Sequence, residues 1–201
     1  MKTPFYTAFL GFVVYQNGLS NYVLLPDGVS VGSRIYMGSF ISPEKLKTFS
    51  IVGSSLPLSY INLFSLVSNV ELSPFKGGLL SRAAGTSLIL TSKINDKVLL
   101  KSKSGWHFLI SGSNISSLGS SSNILYCFSR IGKAGKVRAL GKRPTVRGVA
   151  MNPCDHPHGG GEGRKSPLVS AKSPWGWLTK GSPSKLKLVH KIRKQAKKII
   201  R

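Results

Sequence analysis

Acidic residues are scarce in this chain. Its 201 residues include 6 Asp and Glu against 29 Lys and Arg, which gives a formal net charge of +23. Self-repulsion of this size works against a compact, self-contained enzyme. The imbalance favours a polyanionic partner, for which nucleic acid is the first candidate and an anionic membrane surface the alternative.

Cysteine is also scarce, and long apolar runs are missing. Cys127 and Cys154 cannot form a disulfide framework and are typical of a reducing compartment. No apolar run approaches the roughly 20 residues that cross a bilayer. The apolar stretch Phe5–Tyr15 follows a single Lys and precedes no small-residue cleavage site. We therefore expect no membrane partner and no secretory signal.

The positive charge is concentrated in the C-terminal third. Residues 1–130 hold 11 Lys and Arg with 4 acids, a balance of +7, whereas residues 131–201 hold 18 with 2, a balance of +16. This distribution predicts a mildly basic folded part followed by a segment that requires an anionic counter-surface.

The N-terminal region has the pattern of a β-hairpin. Phe9–Tyr15 and Tyr22–Leu25 are strand-like, and Asn17-Gly18 between them is typical of a two-residue type I′ turn. Pro26-Asp27-Gly28 predicts a second turn, and Arg34–Met37 a third short strand. A meander of this size is marginal in water, and its first strand would be an exposed apolar edge. We expect a second polypeptide, or RNA and neighbouring proteins, to cover that strand.

Residues 50–128 predict a small barrel of short strands joined by close turns. Asn95-Asp96 and Ser104-Gly105 supply two of the turns, and the Ser/Gly-rich stretch Ser111–Ser122 predicts a surface loop. The predicted strands are Val67–Leu72, Ser87–Lys93, Lys97–Lys103, Trp106–Ile110 and Ile124–Phe128.

Regular hydrophobic periodicity stops after Arg130, which predicts an extended segment. Periodicity returns at the end of the chain, where Ser184–Arg201 predicts a basic helix. Such a helix could lie on a membrane, but its narrow apolar face without aromatic residues favours RNA or protein. The residues that share its apolar face are Leu188, Ile192, Ala196 and Ile199.

The most informative segment is residues 141–164, GKRPTVRGVAMNPCDHPHGGGEGR. Three prolines restrict its backbone, so it is too specific for a flexible tail. The triplet Gly159-Gly160-Gly161 has no side chains to hold the backbone away from a polyanion, which favours ordered contact with RNA over a linker.

His156 and His158 could act as general bases, with Asp155 as an orienting group. However, no nucleophile lies in a recognisable motif, and sequence neighbours rarely form a triad. Hydrogen bonding and stacking on RNA is the favoured role. A structural zinc site would need a second Cys/His pair near Cys154, and none is present. We expect no metal, no other cofactor and no catalytic residue.

A string of cations with no acid between residues 130 and 150 predicts phosphate contacts. Trp175 and Trp177 could stack on bases or pack the segment onto the barrel, and the sequence leaves both roles open. The predicted RNA-binding residues are Lys76, Arg82, Lys133, Lys136, Arg138, Lys142, Arg143, Arg147, Asn152, His156, His158, Gly159, Gly160, Gly161, Arg164, Trp175 and Lys180.

The stretch GKAGKVRALGKRPTVRGVAMNPCDHPHGGGEGR resembles the signature of the universal large-subunit ribosomal protein two family (bacterial protein L-two). VSNVELSPFKGGLLSRAAGTS, LPLSYINLFS and YQNGLSNYVLLPDGVSVGSRI resemble earlier parts of that family. The resemblance implies binding to large-subunit ribosomal RNA near the peptidyl-transferase centre, contacts with neighbouring ribosomal proteins, and no reaction of its own. It also implies an OB-type barrel, an SH3-like barrel and an extended basic segment. The family histidine discussed in connection with peptide-bond formation falls on His156, to which we assign a structural and RNA-contacting role.

The chain departs from the family pattern in three places. Cys154 stands at a usually aliphatic position, the Ser-rich middle has diverged, and the first part of the OB-type barrel has no match. These features suggest a mitochondrial protein of the plant type whose N-terminal half is a separate polypeptide, with a plastid as the alternative.

The complete prediction is a mainly β protein that acts as a structural constituent of the large ribosomal subunit. The predicted parts are 1–45, the end of an incomplete OB-type barrel; 46–130, an SH3-like barrel; 131–183, an extended RNA-binding segment; and 184–201, a basic helix or tail. The competing hypotheses are a free RNA chaperone and a transferase that depends on His156.

Overall fold

The computed structural model describes residues 1–38, 51–161 and 170–180, together with the backbone of 190–193. The protein is mainly β, with 31% strand and 11% helix, as the sequence predicts. It divides into two compact units, Met1–Arg130 with Val189–Arg201, and Ile131–Leu188.

The N-terminal hairpin consists of β1 (Leu10–Val14) and β2 (Ser20–Leu24), paired antiparallel from Leu10↔Leu24 to Val14↔Ser20. The hairpin is confirmed, but its two-residue type I′ turn is wrong. The Tyr15 N–H donates to Leu19 O at 2.8 Å, and Gly18 N–H donates to Tyr15 O at 3.0 Å. Gly18 has φ +81° whereas Asn17 has no positive φ, so this is a three-residue loop with one left-handed glycine.

The predicted third strand over Arg34–Met37 is wrong. Only Met37 forms a bridge, parallel to Ser55, and the Ser55 N–H donates to Tyr36 O at 2.7 Å. The segment runs beside the start of the main sheet without pairing as a strand.

Nine further strands follow the hairpin in the described part of the chain: β3 (Ser55–Pro57), β4 (Leu66–Ser68), β5 (Val70–Glu71), β6 (Gly78–Leu80), β7 (Leu88–Ile94), β8 (Lys97–Ser102), β9 (Trp106–Ser111), β10 (Ile115–Leu118) and β11 (His190–Arg193). Seven of them form the main sheet, a curled antiparallel half-barrel in the order β11-β9-β8-β7-β4-β10-β3. The other two, β5 and β6, pair with each other.

The core is built on one face of this sheet. Alternate residues of β7, β8 and β9 are buried because strand side chains alternate between the two faces. The pairs are Leu88 and Leu90 in β7, Val98 and Leu100 in β8, and Phe108 and Ile110 in β9. Residues of β3, β4, β5 and β10 complete the cluster: Leu56, Val67, Val70 and Leu118, with Leu58 and Ile61 from the adjoining turn.

The register explains why three of the predicted strands form where expected. Ile94 pairs with Lys97 across Asn95-Asp96, and Lys101 pairs with His107 across the turn that contains Gly105, φ +82°. The predicted strand Val67–Leu72 is interrupted at Asn69, whose φ of +49° directs the chain from β4 into the separate β5–β6 pair.

Two predicted elements of the barrel are wrong. Ser111–Ser122 is not a surface loop, because it contains β10, whose Ser116 and Ser117 are 1% and 2% exposed. Ile124–Phe128 is a 3-10 helix rather than a strand, entered through Asn123 at φ +63°. A short apolar run fits either structure by pattern alone.

The predicted C-terminal helix is wrong over His190–Arg193, which forms β11 along β9 from His190↔Leu109 to Arg193↔Trp106. The hydrogen bonds of a sheet edge override a helical pattern here. The remaining residues of that predicted helix, including Leu188, Ala196 and Ile199, lie outside the described residues.

The second unit contains one helix, α1 (Ala134–Ala139), among its described residues. The sequence predicts an extended backbone there, although alanine, lysine and arginine favour helices. A 3-10 turn at Gly148–Ala150 and a series of tight turns follow.

Candidate nucleic-acid interface

Met151–Gly161, which we name the histidine–glycine loop, is shaped by its own backbone. Asn152 O accepts hydrogen bonds from the N–H groups of Asp155 at 3.1 Å and His156 at 3.3 Å. Gly159 N–H then donates to His156 O at 2.8 Å. These bonds fold the loop into consecutive turns rather than an extended strand.

His156 is the buried centre of the loop, with only 7% of its surface exposed. Its Nδ1 accepts a hydrogen bond from His158 N–H at 3.0 Å. A neutral imidazole that accepts at Nδ1 carries its proton at Nε2. Gly148 lies against the same ring, and a Cβ added there would come within 2.6 Å of Nδ1 and Cε1.

His158 joins the loop to the backbone of Ser170 and Lys172. Its Nε2 accepts a hydrogen bond from Lys172 N–H at 3.1 Å and lies 3.3 Å from Ser170 O. Because a backbone N–H can only donate, Nε2 is the acceptor and the neutral ring carries its proton at Nδ1. The two histidine rings are tilted by 50° with centroids 4.7 Å apart.

This pattern bears directly on proton transfer. One ring nitrogen of each histidine already accepts a backbone N–H, so protonation there would break a bond that orders the loop. Asp155 is exposed, and no hydrogen bond joins its carboxylate to either ring within the described residues. The histidines are therefore arranged as structural acceptors.

The fold of the loop itself requires the glycine triplet, in addition to the predicted contact with RNA. Gly159 packs so closely on Asn152 O that a Cβ would collide with it. Gly160 and Gly161 have φ of +87° and +86°, a left-handed conformation that favours glycine. All three positions thus require glycine even before a partner binds.

Six predicted phosphate-contacting side chains are exposed and unpaired within the described part of the second unit. Two of them, Lys136 and Arg138, lie on α1, and no acid lies on that helix. The six are Lys133, Lys136, Arg138, Lys142, Arg143 and Arg147. Exposed cations without carboxylate partners leave their full charge for an external anion.

The remaining predicted residues of this unit are also at the surface, except one that is not described. Asn152 and Lys180 are exposed. Trp175 is 81% exposed and Trp177 75%, on a turn closed by Ser173 N–H donating to Trp177 O at 2.8 Å. Arg164 lies outside the described residues.

Lys76 and Arg82 belong to the first unit. Lys76 is exposed on the loop between β5 and β6. Arg82 is half-buried, with its Cζ 5.8 Å from the centroid of the Tyr6 ring. Its Nε is buried and has no hydrogen-bond partner in the described chain.

Sequence reasoning missed three positions that shape the interface. Gly148 faces His156, Lys172 donates its N–H to His158, and Tyr6 stacks beneath Arg82. The motif GVAMNP offered a weak signal for Gly148, whereas nothing in the sequence marks Lys172 or Tyr6.

Among the described residues, no group of three or more His, Cys, Asp or Glu side chains converges, and both cysteines are free and exposed. Within the same residues, none of the helices has the length and apolar character to cross a bilayer.

The chain thus combines a curled, mainly β half-barrel with a second, strongly cationic unit. Comparisons with known proteins give its family. Residues 51–176 match the family model described as Ribosomal Proteins L2, C-terminal domain. The chain belongs to this family, as the motif resemblance predicts. The family is one of structural ribosomal proteins rather than of enzymes.

Relatives are similar over most of the chain. The Large ribosomal subunit protein uL2 of Orientia tsutsugamushi is 42% identical over 90% of this chain and 64% of its own length. That of Bartonella quintana is 42% identical over 89% and 62%. The mitochondrial-type uL2m of Reclinomonas americana is 40% identical over 98% and 70%. The chain thus spans somewhat less than two thirds of the length of the first two relatives.

Proposed function

We propose that this chain is a structural, RNA-binding constituent of a large ribosomal subunit. The observation that carries the proposal is the row of six exposed cations without acidic partners, next to a loop ordered by its own hydrogen bonds. The names of the relatives support the same role, since each denotes a large-subunit protein.

In this proposal the cations contact phosphates and the histidine–glycine loop approaches RNA with its backbone. The exposed Trp175 ring stacks on a base, which suits an aromatic side chain with a free face. The loop faces RNA of the peptidyl-transferase centre, and His156 orders the loop without transferring a proton. The RNA performs the chemistry.

Salt dependence tests the phosphate contacts. The full chain should bind a large-subunit ribosomal RNA fragment with a log-log salt slope that falls by about 0.7–0.9 for each contact removed. Gln substitutions at Lys142, Arg143 and Arg147 should therefore lower the slope by about 2–3. Lys97→Gln removes an exposed cation outside the predicted set and is the matched control.

Equal slopes for the triple variant and the Lys97 control would contradict these contacts. A free RNA chaperone predicts equal affinity for unrelated RNAs and no co-sedimentation with large subunits. The ribosomal role predicts both selectivity and co-sedimentation, so a sucrose gradient separates the two functions.

We further propose a mitochondrial location. The uL2m relative from Reclinomonas americana, which covers 98% of the chain, supports it, although bacterial relatives are equally similar. Cell fractionation with mass spectrometry of large subunits should place the chain in mitochondria. Recovery from plastid or cytoplasmic ribosomes would refute this location.

The outer edge of β1 beyond Leu10, whose own backbone groups pair with Met1, fits a strand from a separate polypeptide. Tyr15 N–H donates to Leu19 O and Leu25 N–H to Phe9 O, so the odd-numbered residues of β1 face β2. The backbone groups of Phe12 and Val14 therefore point away from β2. The side chains of Phe12, Val14 and Tyr22 are 60%, 65% and 58% exposed, which leaves apolar surface for a partner to cover.

Substitution of Val14 tests this partner. Val14→Lys should abolish co-purification of a small second polypeptide, whereas Val31→Lys, at a fully exposed position outside the strand, should retain it. Intact large subunits that contain the chain but no such polypeptide would refute the proposal.

A further inference from the structure

Glu71 is an unusual acid in this basic protein, because it is only 7% exposed and lies at the end of β5. Its Oε1 accepts a hydrogen bond from Gly77 N–H at 3.1 Å, and its Oε2 accepts one from Ile115 N–H at 3.1 Å. Its backbone O accepts a third bond, from Asn114 Nδ2 at 3.2 Å. The carboxylate thus ties the β5–β6 loop to the start of β10.

The loop that Glu71 holds carries Lys76. Phe75 and Gly77, on either side of Lys76, have φ of +62° and +78°, so the backbone here is an unusual one that needs support. Lys76 N–H donates to Ser73 O at 3.3 Å, a long bond that fixes the turn weakly. The bond from Gly77 N–H to the carboxylate acts on the residue directly after Lys76.

Only a carboxylate satisfies both backbone donors at once. A glutamine of the same shape has one acceptor oxygen, and its amide NH2 would face the second N–H group. An acid near RNA phosphates would ordinarily repel them. The carboxylate of Glu71 is buried, however, and the two backbone N–H donors stabilise its negative charge inside the fold.

We propose that Glu71 is a positioning residue that presents Lys76 to RNA. This inference rests on the proposed function and deepens it, because it assigns a role to a buried residue that makes no RNA contact. The loop backbone is fixed before RNA binds, so Lys76 reaches its phosphate without the additional cost of ordering the loop backbone.

The experiment compares salt slopes for a ribosomal RNA fragment in full-length variants. Glu71→Gln should lower the slope by about 0.7–0.9, the value of one phosphate contact, as should Lys76→Met. A tenfold rise in salt concentration should therefore weaken RNA binding by a factor about five- to eightfold smaller in these variants than in the wild-type chain. The double variant should lose no more than either single variant. Asp96→Asn, which makes the same charge change at an exposed turn, should leave the slope unchanged.

Two results would overturn the inference: a Glu71→Gln slope equal to that of Asp96→Asn, or additive losses in the double variant. A wild-type chain that binds without salt dependence would instead refute the proposed function itself. If Glu71→Gln does not fold, amide exchange in the wild-type chain decides. Gly77 N–H should be protected without RNA and unchanged when RNA binds, whereas free exchange before binding would refute positioning.

Discussion

Replacing Gly148 by alanine would test whether a single close approach orders the histidine–glycine loop. The added Cβ would lie 2.6 Å from Nδ1 and Cε1 of the His156 ring, about 1 Å inside an ordinary carbon contact. The ring is 7% exposed and has little room to retreat. Overpacking costs about 1–3 kcal/mol, and loss of the bond from His158 N–H to Nδ1 about 0.5–1.5 kcal/mol.

The combined destabilisation of the loop should therefore be about 1.5–4.5 kcal/mol. Hydrogen exchange of the His158 amide measures this destabilisation locally, and exchange should become at least about tenfold faster. Gly135→Ala is the matched control, since a Cβ there meets no atom within 4 Å. Because Gly135 lies in α1, the control should instead stabilise the helix by up to about 1 kcal/mol.

An unchanged exchange rate of His158 in Gly148→Ala would refute the packing argument. Equal effects at Gly148 and Gly135 would do so too, since they would point to a general backbone effect. Imidazole NMR shifts supply a second readout, because displacement of the His156 ring should move its signals whereas Gly135→Ala should not.

Three further predictions concern the first unit. Leu100→Ala, at a fully buried position, should lower the free energy of unfolding by about 2–5 kcal/mol in denaturant titrations. The control Leu125→Ala, at a side chain 74% exposed, should change it by less than about 0.5 kcal/mol. Gly18→Ala should destabilise the hairpin by about 1 kcal/mol because φ is +81°, and Gly18→Asn should cost less; equal losses would contradict the assigned turn. Burial lowers the pKa of Lys93 below its ordinary value of 10.5, and Lys93 Nζ donates to Ser59 O at 2.6 Å. Between the pKa of Lys93 in the folded chain and its higher pKa in the unfolded chain, the unfolded chain binds more protons, so the free energy of unfolding should rise with pH in this alkaline window. NMR titration should find a lower pKa of Lys93 in the folded than in the unfolded chain, and equal values would refute the shift.

The local part of the fold was predictable from sequence, whereas long-range pairing was not. β7, β8 and β9 follow from alternating side chains and tight turns between neighbours in the chain. The strand β10 was not predicted because its serines do not add to a hydrophobic pattern. Its Ser117 Oγ lies 3.0 Å from Ser55 Oγ, so the hydroxyl is satisfied only by a residue far away in sequence.

In the candidate interface, too, local features were predictable from sequence and long-range contacts were not. Exposure of the cations follows from their number and the lack of acids, and composition alone predicts it. The need for glycine at position 159 was recognised, but its internal cause depends on Asn152 O, which only the folded backbone brings near. The link from His158 to Lys172 depends on a similar long-range approach.

The position of β10 also bears on the order of folding. Its hydroxyl contact with β3 joins residues 62 apart in the chain, while β7, β8 and β9 join immediate neighbours. Closing a long loop costs entropy before any contact is gained, and two buried serines bring little apolar area to offset it. We therefore expect the three-stranded meander to form before β10 joins the sheet, so that a newly made chain exposes the edge of β4 until its serine-rich strand pairs with it.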